Sequence, residues 1–143
     1  MTYNTDYLTR CIQTLDESIE RLLRAEENSM DYEIFRNSAV KSFELTLETA
    51  GKLLKKSIKP YFATNKAVDK LYFKEVFRYA AKHGLIHVDE VERWFEYRDN
   101  RNNTAHDYGE QFATETLRLL PQFVIDAKNL KKNLDAAAAR SSR

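Results

Sequence analysis

The sequence predicts an all-α protein, an up-down four-helix bundle with an additional short helix. Apolar residues recur every three or four positions over long stretches, which is the period of a helix that buries one face. No stretch alternates apolar and polar residues as a half-buried strand does. The 143 residues include only three glycines and two prolines, too few to form the many turns of a β fold.

The first half of the chain contains two long amphipathic segments. The first helix is predicted over about residues 5–26, and the polar stretch "ENSMD" separates it from the second. The second helix is predicted over about residues 32–58, with Ser29 or Asp31 as its N-cap. Pro60 ends it, because proline disrupts a helix interior and disfavours helical angles in the residue before it.

The second half of the chain predicts two shorter helices before a long final one. The connector after the second helix is expected to fold Phe62 and Val68 onto the core. The third helix is predicted over about residues 70–83, followed by Gly84, where a left-handed C-terminal cap is expected. Asp89 is the predicted N-cap of a fourth helix.

The final helix is predicted over about residues 110–137, with a bend or a restart at Pro121. Length and composition indicate one bundle domain over residues 1–137. The alanine-rich tail, residues 138–143, has no large side chain to bury, and we expect it to be frayed or disordered.

Composition indicates a soluble protein. Hydrophobic residues make up 43% of the chain and charged residues 31%. Apolar runs are only a few residues long, whereas a membrane-spanning helix needs about 20. The stretch "MTYNTDYLTR" lacks the basic and apolar regions of a secretory signal, and Cys11 has no partner for an internal disulfide. We therefore expect a cytoplasmic location and no membrane segment.

The charge balance limits how this protein can bind nucleic acid. The chain has 23 basic and 22 acidic side chains, for a formal net charge of +1. A broad basic surface for nucleic acid is therefore not expected. A local site with a few arginines and lysines remains compatible with this balance.

The stretch "RDNRNNTAHDYG", residues 98–109, is polar and lies between two amphipathic segments. On one straight helix, Arg101 and His106 would point about 140° apart around the axis. The two asparagines and the threonine that follow Arg101 favour caps and turns. A helix break among them would bring the guanidinium and the imidazole to one surface.

These side chains suit phosphodiester chemistry. Arg101 offers a planar set of donors to a phosphate and stays charged. His106 can take a proton from a ribose 2′-hydroxyl or return one to a leaving oxygen. This chemistry needs no metal and no cofactor, and the three histidines of the chain lack zinc-like spacing.

A purely structural interpretation of the same stretch remains open. Arg101 can pair with Asp99 or Glu110, and His106 can cap a helix. Tyr108 can pack its ring on the bundle and leave its hydroxyl in water. The spacing alone does not decide between these interpretations.

The segment "RNNTAHDY" resembles a pattern of the HEPN superfamily, in its HepT-like toxin and nucleotidyltransferase substrate-binding branch. The pattern is an arginine, four residues, a histidine, one residue and a tyrosine, and Asn102 matches its polar position after the arginine. The stretch "AVKSFELTLETAGKLLKK" resembles the long second helix of that branch, including Phe43, Glu44 and Glu48. The resemblance covers about residues 5–135.

The resemblance implies a two-gene toxin–antitoxin system. The protein would be a metal-independent ribonuclease acting on RNA as a homodimer, with Arg101 and His106 of both copies at the site and Asn102 supporting the phosphate or the loop. A cognate minimal nucleotidyltransferase would be the antitoxin, silencing it by adenylylation of Tyr108. The alternative is a non-catalytic subunit that binds substrate or nucleotide for the nucleotidyltransferase.

Further residues carry separate expectations. Gly51 departs from the family resemblance, because a tryptophan is common there, and its lack of a side chain leaves room for a neighbouring helix or partner. Trp94 and Phe95 are expected in the core. Tyr72 and Tyr79 lie seven residues apart, and we expect them to line a dimer seam rather than to stack on bases.

Overall fold

The computed structural model of the chain describes residues 3–104 and 110–141, and over these residues it contains six α-helices and no strand. Two 3-10 turns, Lys59–Tyr61 and Val88–Glu90, precede α3 and α5. The predicted all-α class is confirmed. In chain order, the helices are α1 (Asp6–Arg24), α2 (Met30–Ile58), α3 (Asn65–Asp69), α4 (Phe73–Lys82), α5 (Val91–Thr104) and α6 (Glu110–Ser141).

The turn between α1 and α2 is closed by local hydrogen bonds. The Ser29 hydroxyl oxygen accepts the Tyr32 N–H at 3.0 Å, so Ser29 is the N-cap of α2, as predicted. Further along the pair, the hydroxyl oxygens of Ser18 and Ser38 lie 2.7 Å apart and join the two helices. The two helices therefore pack as an antiparallel pair along one side of the bundle.

The core is an aromatic cluster to which four helices contribute. Phe43 of α2 lies 4.7 Å from Phe123 of α6, and Phe77 of α4 lies 5.0 Å from Trp94 of α5, measured between ring centroids. Tyr97 meets Trp94 edge to face at 5.4 Å. All five side chains are at most 1% exposed. This packing fixes α5, which carries the start of the polar motif, against α2, α4 and α6.

The region between α2 and α4, which the sequence predicts as a connector, contains a 3-10 turn and the short helix α3. Val68 is fully buried, and Phe62 rests 4.8 Å from the ring of Tyr79, so both fold onto the core as expected. The third predicted helix begins late, because Tyr72 is the N-cap of α4. Its N–H donates to the carboxylate of Glu75 at 3.0 Å.

The turn after α4 has the predicted glycine cap. Gly84 has a φ of 77°, and the Leu85 N–H donates to the Ala80 carbonyl at 2.9 Å, which completes a Schellman motif. The prediction that Asp89 is an N-cap is wrong. His87 Nδ1 instead accepts the Asp89 N–H at 3.2 Å and starts the 3-10 turn that leads into α5.

The final helix, α6, runs through Pro121 as a single element, so it does not restart there. The alternative, a bend at Pro121, stays a prediction. The helix continues to Ser141. Fraying of residues 138–143 stays a prediction. No helix in the described part of the chain has both the length and the apolar character needed to cross a bilayer.

Candidate functional site

The helix break that the sequence predicts does not occur at Asn102, Asn103 or Thr104. All three residues belong to α5 (Val91–Thr104). Arg101 is half-buried and Asn102 is exposed in the last turn of this helix. A helix anchored by tertiary contacts keeps residues that would favour turns in isolation.

The other two motif residues lie outside the described part of the chain. These residues, His106 and Tyr108, fall in the interval 105–109. The proximity of Arg101 and His106 therefore stays a prediction, as does exposure of the Tyr108 hydroxyl.

A buried carboxylate ties α5 to α6 below the motif. Asp126 is 1% exposed, and its oxygens accept hydrogen bonds from Arg93 Nε at 2.8 Å and Arg93 Nη2 at 2.9 Å. The Tyr97 hydroxyl donates at 2.6 Å and the Gln122 side-chain amide at 3.0 Å. A buried carboxylate with this many donors is fully compensated, and it fixes the relative rotation of the two helices.

The protonation states of this network follow from its geometry. Burial acts to raise the pKa of Asp126, but the hydrogen bonds from Arg93, Tyr97 and Gln122 outweigh it and leave the pKa below its usual value. Burial, followed by the bond to Asp126, raises the pKa of the Tyr97 phenol. The bond to Asp126 also raises the pKa of Arg93. The network is therefore an ionised carboxylate with protonated partners at neutral pH.

A second cross-link lies directly beside the motif. Asn100 Nδ2 donates to the Thr116 hydroxyl oxygen at 2.9 Å, and both residues are buried. Asn100 precedes Arg101, so this bond sets the rotation of the helix turn that presents Arg101 and Asn102. A side-chain hydrogen bond buried in this way is costly to break, because the group left behind loses this bond without gaining one to water.

An unfavourable position occurs where the 3-10 turn Val88–Glu90 meets α5. Among the residues that the structure describes, Glu90 Oε2 and Trp94 Nε1 are buried atoms without a hydrogen-bond partner. Burial, followed by the negative charge of Asp126, raises the pKa of Glu90. The negative charge of Glu90 therefore destabilises the folded protein, whereas that of Asp126 stabilises it.

Sequence reasoning missed Tyr97, Asn100 and Asp126. The four-residue spacing of Arg93 and Tyr97 places them on one face of α5, which was a usable signal. Their shared partner Asp126 lies on another helix and was not identifiable from spacing.

An open groove adjoins the motif between the start of α4 and the end of α5. Its volume is about 360 Å³. It is lined by Tyr72, Phe73, Lys74, Glu75, Arg78, Arg98 and Asn102. Asn102 therefore belongs both to the motif and to this groove.

Metal ligands were not expected from the sequence. Among the side chains that the structure describes, no three His, Cys, Asp or Glu residues are grouped to hold a metal ion. Because His106 lies outside these side chains, metal independence of the motif stays a prediction.

A helical bundle with a polar motif at the end of its fifth helix is the class of protein that these observations define. The chain belongs to the family described as nucleotidyltransferase substrate binding protein like, whose sequence model matches residues 4–136. The predicted membership of this branch is therefore confirmed, whereas the roles of the motif residues stay predictions.

Individual relatives agree with this assignment. The chain is 28% identical over 96 residues to "Probable ribonuclease HepT" of Haemophilus influenzae, a match that covers 67% of this chain and 64% of that protein. The chain thus spans just under two thirds of the length of this relative.

Two solved structures have the same fold. Haemophilus influenzae HI0074, whose structure is described as revealing the fold of a substrate binding domain of a nucleotidyltransferase, matches with a TM-score of 0.81 and 22% identity. This match covers 92% of this chain and 99% of HI0074. A Thermus thermophilus protein matches with a TM-score of 0.71 and 25% identity, over 89% of this chain and 98% of that one.

Proposed function

We propose that this protein is a HEPN-type, metal-independent endoribonuclease toxin, controlled in the cytoplasm by a cognate minimal nucleotidyltransferase. The observation that carries the proposal is the placement of Arg101 and Asn102. They occupy the last turn of α5, which is fixed to α6 by the hydrogen bonds of Asn100 to Thr116 and of Tyr97 to Asp126. The similarity to a protein named as a ribonuclease supports the same reaction class.

The reaction is an internal transesterification. His106 removes the proton from a ribose 2′-hydroxyl, and the 2′-oxygen attacks the neighbouring phosphorus. The bond from phosphorus to the 5′-oxygen breaks, leaving a 2′,3′-cyclic phosphate and a 5′-hydroxyl. Arg101 holds the phosphate and balances the charge that develops on its oxygens, and Asn102 orients a phosphate oxygen.

A homodimer completes this chemistry. The motif provides a single histidine per chain, whereas the reaction needs one group to remove a proton and another to protonate the leaving oxygen. Two copies of the motif facing each other across a twofold axis supply both groups.

Adenylylation explains how the toxin is held inactive. Transfer of AMP from ATP to the Tyr108 oxygen releases pyrophosphate and adds a charged, bulky group two residues from His106. Like-charge repulsion and occupied space both oppose entry of an RNA phosphate.

The catalytic assignment is tested by RNA cleavage with purified protein in the presence of a metal chelator. His106→Ala is expected to abolish cleavage, and Arg101→Ala to reduce it by at least about a hundredfold. His83→Ala is the matched control, because His83 stacks on Tyr61 at 3.6 Å, away from the motif in sequence. Equal cleavage by the wild type and His106→Ala contradicts the assignment.

The modification is tested by mass spectrometry after incubation with the nucleotidyltransferase encoded beside this gene and ATP. A gain of one adenylyl group is expected in the wild type and in Tyr61→Phe, which alters another exposed tyrosine. No gain is expected in Tyr108→Phe. Modification of Tyr108→Phe to the same extent contradicts the proposed site.

The family description favours a second candidate, a non-catalytic subunit that presents a nucleotide or substrate to the nucleotidyltransferase. Arg101 would then hold a phosphate without cleaving it. This candidate is supported if no RNA is cut and ATP binding is lost in Arg101→Ala. RNA cleavage that depends on His106 rules it out.

A further inference from the structure

The groove between α4 and α5 has the features of a single-strand binding site. We propose that it binds the phosphate backbone and one base of single-stranded RNA beside the motif, a proposal that rests on the ribonuclease function above. No broad basic surface is needed for this, since the positive charge is local.

Charge in the groove is predominantly positive. Lys74, Arg78 and Arg98 line it together with one carboxylate, Glu75. That carboxylate already accepts the Tyr72 N–H, which turns it toward the backbone of α4. The groove therefore presents three cations to a ligand against one carboxylate, of which one oxygen is hydrogen-bonded to the Tyr72 N–H.

One of the cations has a competing partner. Lys74 Nζ lies 3.1 Å from Asp99 Oδ1, and both side chains are around half exposed, at 42% and 58%. Exposed ion pairs contribute little to stability, so a phosphate can replace this carboxylate at small cost.

Aromatic rings hold the cations in place. Arg98 lies over the ring of Phe73 at 4.9 Å, while Lys74 and Arg78 lie over the half-buried ring of Phe95 at 5.3 and 5.0 Å. Cation–π contacts of this kind restrict side-chain motion. An arginine stacked by its face keeps its edge N–H groups available for phosphate oxygens. The groove is therefore preorganised, and binding loses less side-chain entropy.

The floor of the groove depends on Gly51. A Cβ at this position would lie 3.1 Å from Phe73 Cε2, so the missing side chain of Gly51 lets the Phe73 ring sit against α2. The neighbouring helix for which Gly51 leaves room is therefore α4, which begins at Phe73. It places Phe73 below Arg98.

Tyr72 gives the groove a surface for a base. Its side chain is 80% exposed at the rim, whereas the ring of Tyr79 is partly buried against Phe62, so Tyr72 is the more accessible of the two rings. An exposed aromatic ring beside a row of cations is the usual arrangement for single-strand binding, in which bases stack and phosphates are neutralised.

The groove reaches the described part of the motif. Asn102 lines it and lies one helical turn beyond Arg98, next to Arg101. A strand bound along Arg78 and Arg98 therefore continues onto the motif.

The test is fluorescence anisotropy with a labelled 2′-O-methyl oligoribonucleotide, which binds as RNA but has no free 2′-hydroxyl to react. The double variant Arg78→Gln and Arg98→Gln is expected to weaken binding at least about tenfold. The slope of log affinity against log salt concentration is expected to fall by the equivalent of about one phosphate contact for each cation removed. Tyr72→Leu is expected to weaken binding about tenfold and Tyr72→Phe to leave it unchanged.

Two controls exclude general effects of charge and folding. Arg24→Gln removes a cation from the exposed end of α1 and is expected to bind RNA as the wild type does. The double variant Arg78→Lys and Arg98→Lys keeps the charges and is expected to retain most of the binding. Only variants whose thermal unfolding transition matches that of the wild type are compared.

The outcomes separate the groove from the proposed reaction. Unchanged RNA binding by folded groove variants overturns the groove proposal, even if the wild type cuts RNA. Loss of binding in these variants supports the groove, even if no variant or wild type cuts RNA and the ribonuclease function fails. Groove variants that lose affinity only for the nucleotidyltransferase overturn RNA as the ligand.

Discussion

Asp126 receives four hydrogen bonds from three side chains although it lies almost entirely out of contact with solvent. Asp126→Asn keeps its shape but removes the charge and replaces an acceptor with a donor facing Arg93 or Tyr97. We expect this change to lower the free energy of unfolding at pH 7 by about 2–4 kcal/mol, measured by urea denaturation. Asp16→Asn, which breaks the more exposed pair with Lys128, is expected to cost less than about 1 kcal/mol.

The effect of Asp126 depends on pH in a defined direction. Because its pKa is lowered in the folded state, its contribution is present above the ordinary aspartate pKa and is lost as the pH falls through the lowered value. The difference between the wild type and Asp126→Asn is therefore expected to shrink below about pH 4. A constant difference down to about pH 2 would show that the charge of Asp126 contributes nothing.

Glu90 gives the opposite pH dependence. Its pKa is raised in the folded state, so its ionised form destabilises the protein above its ordinary pKa, and this penalty disappears as the pH falls. We expect Glu90→Gln to raise the melting temperature at pH 7 and to make little difference at about pH 4. Glu92→Gln, at an exposed position two residues further on in α5, is expected to leave both melting temperatures unchanged. A lower melting temperature for Glu90→Gln at pH 7 would contradict this interpretation.

At the scale of elements, the bond between Asn100 and Thr116 couples the end of α5 to α6. Thr116→Val keeps the size of the side chain but removes the acceptor for Asn100 Nδ2, and we expect it to cost about 1–2 kcal/mol of stability. We also expect it to lower kcat for RNA cleavage more than it changes KM, since Arg101 is adjacent to Asn100. Thr116→Ser restores the hydroxyl and is expected to restore kcat.

A second threonine separates positioning from stability. The hydroxyl of Thr46 is equally buried but donates within its own helix, to Ser42 at 2.7 Å. Thr46→Val is therefore expected to leave kcat unchanged. If Thr46→Val and Thr116→Val lower kcat to the same extent, the bond at Asn100 has no positioning role.

The elements differ in how well the sequence predicts them. The period of apolar residues predicts α1 and α2 within a few residues, and Gly84 predicts its turn, because these signals are local. The prediction for Asp89 is wrong because His87 takes the capping role, which helix statistics do not favour. The asparagines after Arg101 remain helical because long-range bonds hold α5, and sequence propensity contains no information on such bonds.

The candidate site was predictable in part for the same reason. Arg101 and Asn102 were identified from their residue types and from the family resemblance, and the structure places them together in one helical turn. The groove beside them was not identified, because it combines cations of α4 and α5 with the contact between Gly51 and Phe73. Only the packing of three helices brings these residues to one surface.

At the scale of the whole molecule, the proposed chemistry requires two copies of the chain. A double variant, Arg101→Ala with His106→Ala, can still pair with wild-type chains but contributes no catalytic group. After subunit exchange with a ninefold excess of this variant, only about a tenth of the wild-type chains pair with each other, so RNA cleavage per wild-type chain is expected to fall to about a tenth. As a control, the same excess of the variant is added together with the RNA, before subunits can exchange. Cleavage is then expected to stay near the rate of the wild type alone, which excludes the explanation that the variant merely binds the RNA and withholds it. Unchanged cleavage after full exchange would show that a single chain contains the complete site.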